Sequence, residues 1–337
     1  YRRLKIVFYC HPRHPFTYKQ FTIGPYCESK TFRAVSSTTA FSFVSLFNKL
    51  IKMGFFKNPI SAQQNEDGSY DPSPFTLLVG TSKTTGYVQQ EYDVKYTGTK
   101  PILVVCTDES LLEMENKKKF STGNHPVEMY LPLLHFRDAG FAFDIATQNG
   151  GAVKLEMWAF PSNDENVKKL HEDMKAMLEK PKKLGDISSL DGYSAIFIPG
   201  GHGAIINLPS SVELGKLLHM AHDQGLPTVT LCHGPAALLS TCTEGLDKAF
   251  AYDGYDIMCF TDKTDGMTPW VGYLPGHMPW KVQEVLEAKG VKVLNKSEKG
   301  DVKQDRELIT GDSHNAANNL GKFAAPILVK YAVEHKL

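Results

Sequence analysis

The chain has 337 residues, 42% of them hydrophobic and 22% charged, and its formal net charge is zero. That composition suits an ordinary soluble globular protein with one large domain or two smaller ones. It excludes the basic field that nucleic acid or an acidic membrane surface would select, and no apolar run is long enough to span a bilayer. Cys10, Cys27, Cys106, Cys232, Cys242 and Cys259 have no regular spacing. In a chain this long they read as reduced thiols of a cytoplasmic protein, not as a disulfide framework.

Residues 1–52 differ from the rest. Arg2, Arg3, Lys5, Arg13, Lys19, Lys30, Arg33, Lys49 and Lys52 face a single acid, Glu28. An Arg- and Ser-rich, acid-poor leader fits an organellar transit peptide. Alternatively translation starts at Met53 and the upstream residues are untranslated sequence read through; the change of composition at Met53 favours this. Either way they are left out of the fold. Residues 53–100 are polar, with turn signals at Asp67-Gly68 and Asp71-Pro72, and read as an arm lying over the domain.

The first strong strand is Pro101–Cys106, a continuous apolar run fit for burial on both faces. A helix follows, capped by Asn124, with Val127, Leu131 and Leu134 at helical spacing and Gly140 as its stop. Phe141–Thr147 is the next strand. Residues 153–190 are rich in Lys, Glu and Asp and read as an inserted lid or small subdomain. Ser194–Pro199 is a strand running into Gly200-Gly201-His202-Gly203, and Val212–His222 is helical. Thr228–Leu231 leads as a strand into Cys232-His233-Gly234-Pro235. Short strands near 257–260, 291–294 and 308–310 and helices near 282–289 and 315–333 complete the chain. Strands alternating with helices predict an α/β fold, a doubly wound, mainly parallel sheet covered on both faces. Ligands in such folds sit beyond the carboxyl ends of the strands.

The chemistry is expected at Cys232. A strand, a sharp turn and a helix would aim it outward, as the G-x-S-x-G elbow exposes a serine, and a helix N-terminus would favour its thiolate. The competing reading is a buried cysteine ending a core strand. The Gly200-Gly201 turn lets the backbone approach a ligand and suits an oxyanion hole with His202; a plain tight turn is the alternative. Glu128, one turn into its helix at the same sheet edge, is either a proton carrier with a raised pKa or a first-turn acid facing the helix dipole. His219 and His222 read as an exposed helix face, since no further ligand stands near them.

Together these residues resemble the DJ-1/PfpI superfamily, and within it the glutathione-independent glyoxalase branch that includes a bacterial thirty-one-kilodalton heat-shock chaperone. The matching words are FSTGNHPVE, GFAFDIAT, WAFPSNDENV, AIFIPGGHGAIINLP, LCHGPAALL, GYLPGH and TGDSHNAANNLGKFAA, in order from about Pro101 to the C-terminus. The resemblance implies a flavodoxin-like fold over 101–337 and Cys232 as nucleophile with His233 beside it. It implies Glu128 as the acid near the thiol and Asp265 as the triad acid, with Asp262 as fallback. It also implies a homodimer and the conversion of methylglyoxal to lactate without glutathione or another cofactor. Protein deglycation and holdase chaperoning are further activities of the branch. The chaperone's His-Glu-His metal site has Arg137, Ala142 and Met174 at its matching positions here, which implies no metal.

The expected route is a hemithioacetal on Cys232, an oxyanion held by the N–H groups of Gly201 and His233, and an enediol served by Glu128. His233, adjacent in sequence, is not expected to fold back easily onto Cys232. A cysteine peptidase or amidase would use the same elbow but needs an open groove. Deleting residues 1–52 is expected to leave the melting temperature and activity unchanged; a large loss of either on truncation would make them part of the domain.

Overall fold

Alternation inside four short apolar strands builds the two faces of one sheet. The computed structural model describes residues 60–337, so residues 1–52 and Met53 lie outside the described residues. In chain order the strands are β1 (Gln63–Gln64), β2 (Tyr70–Asp71), β3 (Ile102–Val105), β4 (Leu111–Glu113), β5 (Lys119–Ser121), β6 (Phe143–Thr147), β7 (Lys182–Lys183), β8 (Ala195–Ile198), β9 (Thr228–Leu231), β10 (Asp256–Ile257), β11 (Lys292–Val293), β12 (Val302–Asp305) and β13 (Leu308–Gly311). The helices are α1 (Pro74–Gly80), α2 (Pro126–Asp138), α3 (Glu165–Glu179), α4 (Val212–Gln224), α5 (Asp262–Met267), α6 (Val282–Ala288) and α7 (Ala317–Glu334).

The main sheet runs β12-β13-β9-β8-β3-β6-β7, with every pair parallel except β12 with β13. Leu103, Val105, Ile196 and Ile198 point to one face, where they pack with Leu214, Leu217, Leu218 and Leu286 of α4 and α6. Ile102, Val104 and Phe197 point to the other, among residues of α2, α3 and α7. Period-two alternation thus feeds two cores and makes the fold doubly wound. Ile198 pairs with Thr230, and Leu231 pairs with Gly311. That register brings Gly200-Gly201, Cys232 and Asp312 out at one edge, and the chain's change of direction about β3 opens the crevice there.

The arm is tied to the rest of the chain by hydrogen bonds. β1 and β2 join β5 and β4 in a second small sheet, and the Ser73 and Thr76 side chains of α1 bond to the Val271 carbonyl.

Several expectations are corrected. Residues 153–190 are not a lid. α3 buries Val167, Leu170, Met174 and Leu178, an apolar stripe at helical spacing, against the core, and β7 extends the sheet edge. The exposed Lys and Glu of α3 mask that stripe in a composition reading. Asn124 does not cap α2, because Pro126 sets the start of the helix and leaves His125 at the cap. The Asn124 amide instead bonds the Thr107 N–H, the Thr107 carbonyl and the Lys154 carbonyl, tying three segments together. His219 is buried with Nε2 2.8 Å from the Thr241 carbonyl, and His222 pairs with Glu307, so neither stands on an exposed face. Leu170→Ala should cost about 2–5 kcal/mol, the range for truncating a buried leucine. An unchanged denaturation midpoint would mean that α3 is peripheral after all.

Candidate active site

Cys232 closes β9 with φ of 58°, a left-handed conformation that a side chain other than glycine adopts at a cost of order 1–3 kcal/mol. Flanking hydrogen bonds hold it there. The Cys232 N–H donates to the Gly311 carbonyl at 3.0 Å, and its carbonyl accepts from the Phe260 N–H at 2.8 Å. The turn that follows is a 3₁₀ segment, Gly234–Cys242, not the expected α-helix. Cys232 is only 4% exposed.

The twist at 232 also answers the doubt about its neighbour. Sγ lies 3.4 Å from His233 Nδ1, and His233 Nε2 lies 2.8 Å from Asp265 Oδ2. Asp265 accepts the Nε2 proton, so Nδ1 is left as the acceptor facing the thiol. Adjacent residues therefore do form the pair that a flat strand would forbid. Asp262 is engaged elsewhere: its two oxygens accept the Gln283 and Glu284 N–H groups at the start of α6.

Glu128 enters from α2 and is buried, and its carboxyl group and Cys232 close on Gly200 from either side. Gly200 makes the approach feasible. A Cβ there would stand 2.1 Å from Glu128 Oε2 and 2.9 Å from the Cys232 Cβ. Gly201 has φ of 103°, and a Cβ on it would meet the His125 nitrogen at 2.5 Å. Burial pushes the Glu128 carboxyl well above its ordinary range. Burial, then the negative charge of Glu128, does the same to the Cys232 thiol. The sequence expectation of a thiolate favoured by a helix end is thus corrected: in the closed site the thiol form is favoured.

His202 lies on the far side of Asp265. Its main-chain N–H donates to Glu156 Oε1 at 3.3 Å, and its ring centre is 4.1 Å from that of His233. Its Nε2 is 3.4 Å from Asp265 Oδ1 and its Nδ1 is 3.8 Å from Glu156 Oε1. Burial alone would lower His202, but the two carboxylates raise it to about 9. Burial would raise Asp265, but the two imidazoles override it and hold that carboxyl below its ordinary range. The site therefore carries a buried row of carboxylate, imidazolium and carboxylate.

Glu156 is a member that sequence reasoning missed. It is buried, accepts from the Thr122 hydroxyl at 2.8 Å, and sits beside the WAFPSNDENV word that pointed only to a family. His125, Trp158, Tyr273 and His314 were missed as well. Their rings stand close together, Trp158 and Tyr273 in a T-shaped pair at 5.6 Å and His125 and His314 tilted against each other at 5.7 Å. Asp312 carries no proton role that the geometry suggests. Its oxygens take the N–H groups of Lys299, Gly300 and Asp301, which fixes the loop beside His314.

Among the described residues, His202, His233 and Asp265 form the group whose ligand-type atoms lie within 4.8 Å of one another. A cation there would compete for the Asp265 oxygen that holds His233. At the other positions considered for metal, Arg137 is paired with Asp173 at 3.6 Å and Met174 is packed in the core.

The profile of the DJ-1/PfpI family matches residues 121–255. A protein/nucleic acid deglycase HchA of Pseudomonas aeruginosa is 44% identical over 271 residues, covering 79% of this chain and 93% of the relative. One from Escherichia coli O157:H7 is 43% identical over 281 residues, covering 82% and 98%. Among solved structures, a 24 kDa rapid encystment protein of Francisella tularensis superposes with a TM-score of 0.57 at 22% identity, covering 68% of this chain and 99% of that one. Glyoxalase III of Candida albicans gives 0.54 at 21%, covering 68% and 97%. At such remote identity these two likenesses speak for the fold alone.

The two aspartates separate cleanly by experiment. Asp265→Asn should lower turnover by roughly 10²–10⁴-fold in a folded protein, as loss of a triad acid does. Asp262→Asn should lower the melting temperature through the start of α6 and leave turnover within about twofold. The reverse pattern would move the triad acid to Asp262.

Proposed function

The chain belongs to the DJ-1/PfpI family, and from that premise we propose that it is a glutathione-independent glyoxalase, turning methylglyoxal into lactate. The observation that carries this is a buried carboxyl, Glu128, set beside buried Cys232 with only Gly200 between them. An acyl transfer needs a nucleophile, a base and an oxyanion site. An internal redox reaction of a dicarbonyl needs, besides these, a group that moves a proton between neighbouring carbons, and Glu128 supplies it.

His233 takes the thiol proton while Asp265 stabilises the imidazolium, and Sγ adds to the aldehyde carbon. In this reading the N–H groups of Gly201 and His233 stabilise the developing oxyanion. Glu128 then gives its carboxyl proton to the oxyanion, which makes the C1 hydroxyl and leaves Glu128 as a carboxylate. Burial, with the nearby Glu156 carboxylate, raises the affinity of Glu128 for a proton, which makes the carboxylate a stronger base than one in water. It removes the proton from C1 and returns it to C2. The resulting lactoyl thioester is cleaved by water, and Cys232 is regenerated. No step draws on a further cofactor.

Deglycation is the second reading. It is favoured by the names of the curated relatives and would use the same thiol on a hemithioacetal or aminal of the same dicarbonyl. A holdase role would draw on exposed Met267, Trp270 and Val271. A peptidase is disfavoured by the depth of Cys232 beneath the aromatic rim. A homodimer and a cytoplasmic setting complete the proposal; among the described residues no helix is long and apolar enough to cross a membrane.

The test is lactate formation by the purified full chain from methylglyoxal, without glutathione and with chelator present. Cys232→Ser should abolish it while the fold survives. Glu128→Gln keeps shape but carries no proton, so turnover should fall at least roughly a hundredfold. A folded Glu128→Gln protein with near-normal lactate output would refute the enediol route, even with Cys232 essential.

A further inference from the structure

His125 stands at the cap of α2, three residues before Glu128, and has no place in the route above. Its main-chain N–H donates to the Gly200 carbonyl at 3.0 Å, which fixes the residue against the Gly200-Gly201 turn. The ring lies between those of Trp158, at 6.4 Å, and His314, at 5.7 Å. Its Nδ1 is shielded from solvent yet has no hydrogen-bond partner. The same is true of Glu128 Oε2. Nδ1 lies 4.0 Å from Glu128 Oε1, too far for a hydrogen bond between them. One oxygen atom about 2.8 Å from each would fill that gap with ordinary geometry. Buried polar atoms are rarely left unpaired, so an unpaired Nδ1 and an unpaired oxygen on the neighbouring carboxyl group point to a bound oxygen between the two side chains.

We infer that His125 is a catalytic residue that holds and protonates the second carbonyl oxygen of the dicarbonyl, opposite the proton-carrying Glu128. The inference rests on the glyoxalase reading. As Glu128 takes the C1 proton, the C1–H electron pair becomes the C1=C2 bond. The C2=O π pair moves onto O2, which takes a proton from His125 Nδ1. Glu128 then returns its proton to C2. As the C1 carbonyl re-forms, Nδ1 recovers a proton from the C1 hydroxyl. Protons and electrons balance without an added reactant.

Burial lowers His125 to about 4, so the ring enters the reaction as neutral imidazole. A neutral imidazole is the better match for an enediolate, as in triosephosphate isomerase, which employs one to polarise its carbonyl. The substrate class follows: a 1,2-dicarbonyl, whose second oxygen reaches Nδ1 while Sγ holds the first carbon. A simple aldehyde would form the hemithioacetal and go no further.

The experiment compares His125→Leu and His125→Asn with wild type in the full chain, by kcat and KM for methylglyoxal and by the rate of Cys232 alkylation with iodoacetamide. Leu is expected to lower kcat by roughly a hundredfold with KM and the alkylation rate within about twofold. Asn places an amide near the Nδ1 position and should recover about a tenfold part of that loss. A folded Leu variant with near-normal kcat overturns the assignment. So does a parallel fall in kcat and alkylation, which would mean that the ring only packs the site. Should His125→Leu not fold, His125→Asn is read by the same two rates: a fall in kcat of about tenfold at unchanged alkylation supports the assignment, and any other pattern overturns it. If wild type itself makes no lactate, the glyoxalase reading fails; if wild type is active and Leu is equally active, only the role of His125 fails.

Discussion

Two weak acids, the Cys232 thiol and the Glu128 carboxyl, share a space nearly closed to water, and the edge of the sheet is built to let them meet. Glu128 is carried in by a helix that starts at Pro126. Cys232 is turned toward it by a left-handed backbone at the end of β9. The position between them must have no side chain, since even a methyl group at Gly200 would overlap both. Burial resists charge on either group, and charge on one resists charge on the other. A proton is therefore easily exchanged in this corner and hard to remove from it, which is the condition a proton-carrying group requires.

The opposite side of the sulfur is arranged by the contrary rule. Asp265 is ionised between two imidazoles, and His202 is protonated between Asp265 and Glu156. Each buried charge has an oppositely charged neighbour within 4 Å, and Glu156 gains the Thr122 hydroxyl and a main-chain N–H besides. Buried charges are tolerable only when paired and hydrogen-bonded in this way. Cys232 thus stands between a pair that avoids charge and a row that depends on it, with His233 as the link through which a proton can pass from one to the other.

The fold was legible because its signals are local. Continuous apolar runs fix the central strands β3, β6, β8 and β9 to within a residue or two, and Gly225 ends α4 in a left-handed cap. Gly200-Gly201, Cys232 and Glu128 could be placed at one sheet edge from element order alone. What could not be read was geometry that depends on a single dihedral or on distant segments. The φ of Cys232 decides whether His233 can reach its sulfur, and no residue pattern announces it. Glu156 looked like one acid among many, because its partners Thr122 and His202 come from other parts of the chain. Residues 153–190 misled for the converse reason. Their exposed charges dominate the composition, while four buried residues of α3 decide where the segment packs.

Depth also bears on what the thiol is for. A redox sensor needs an accessible thiolate, since oxidation proceeds through that form and through contact with the oxidant. Here the resting thiol is 4% exposed and held protonated by burial and by Glu128. It becomes a nucleophile only when a proton can pass to His233, whose Nδ1 is 3.4 Å away and whose imidazolium Asp265 stabilises. A small aldehyde lying against the sulfur draws that transfer forward, because the new C–S bond removes the charge that the site resists. Burial that would silence a sensor therefore suits the proposed reaction, whose nucleophile is charged only in passing.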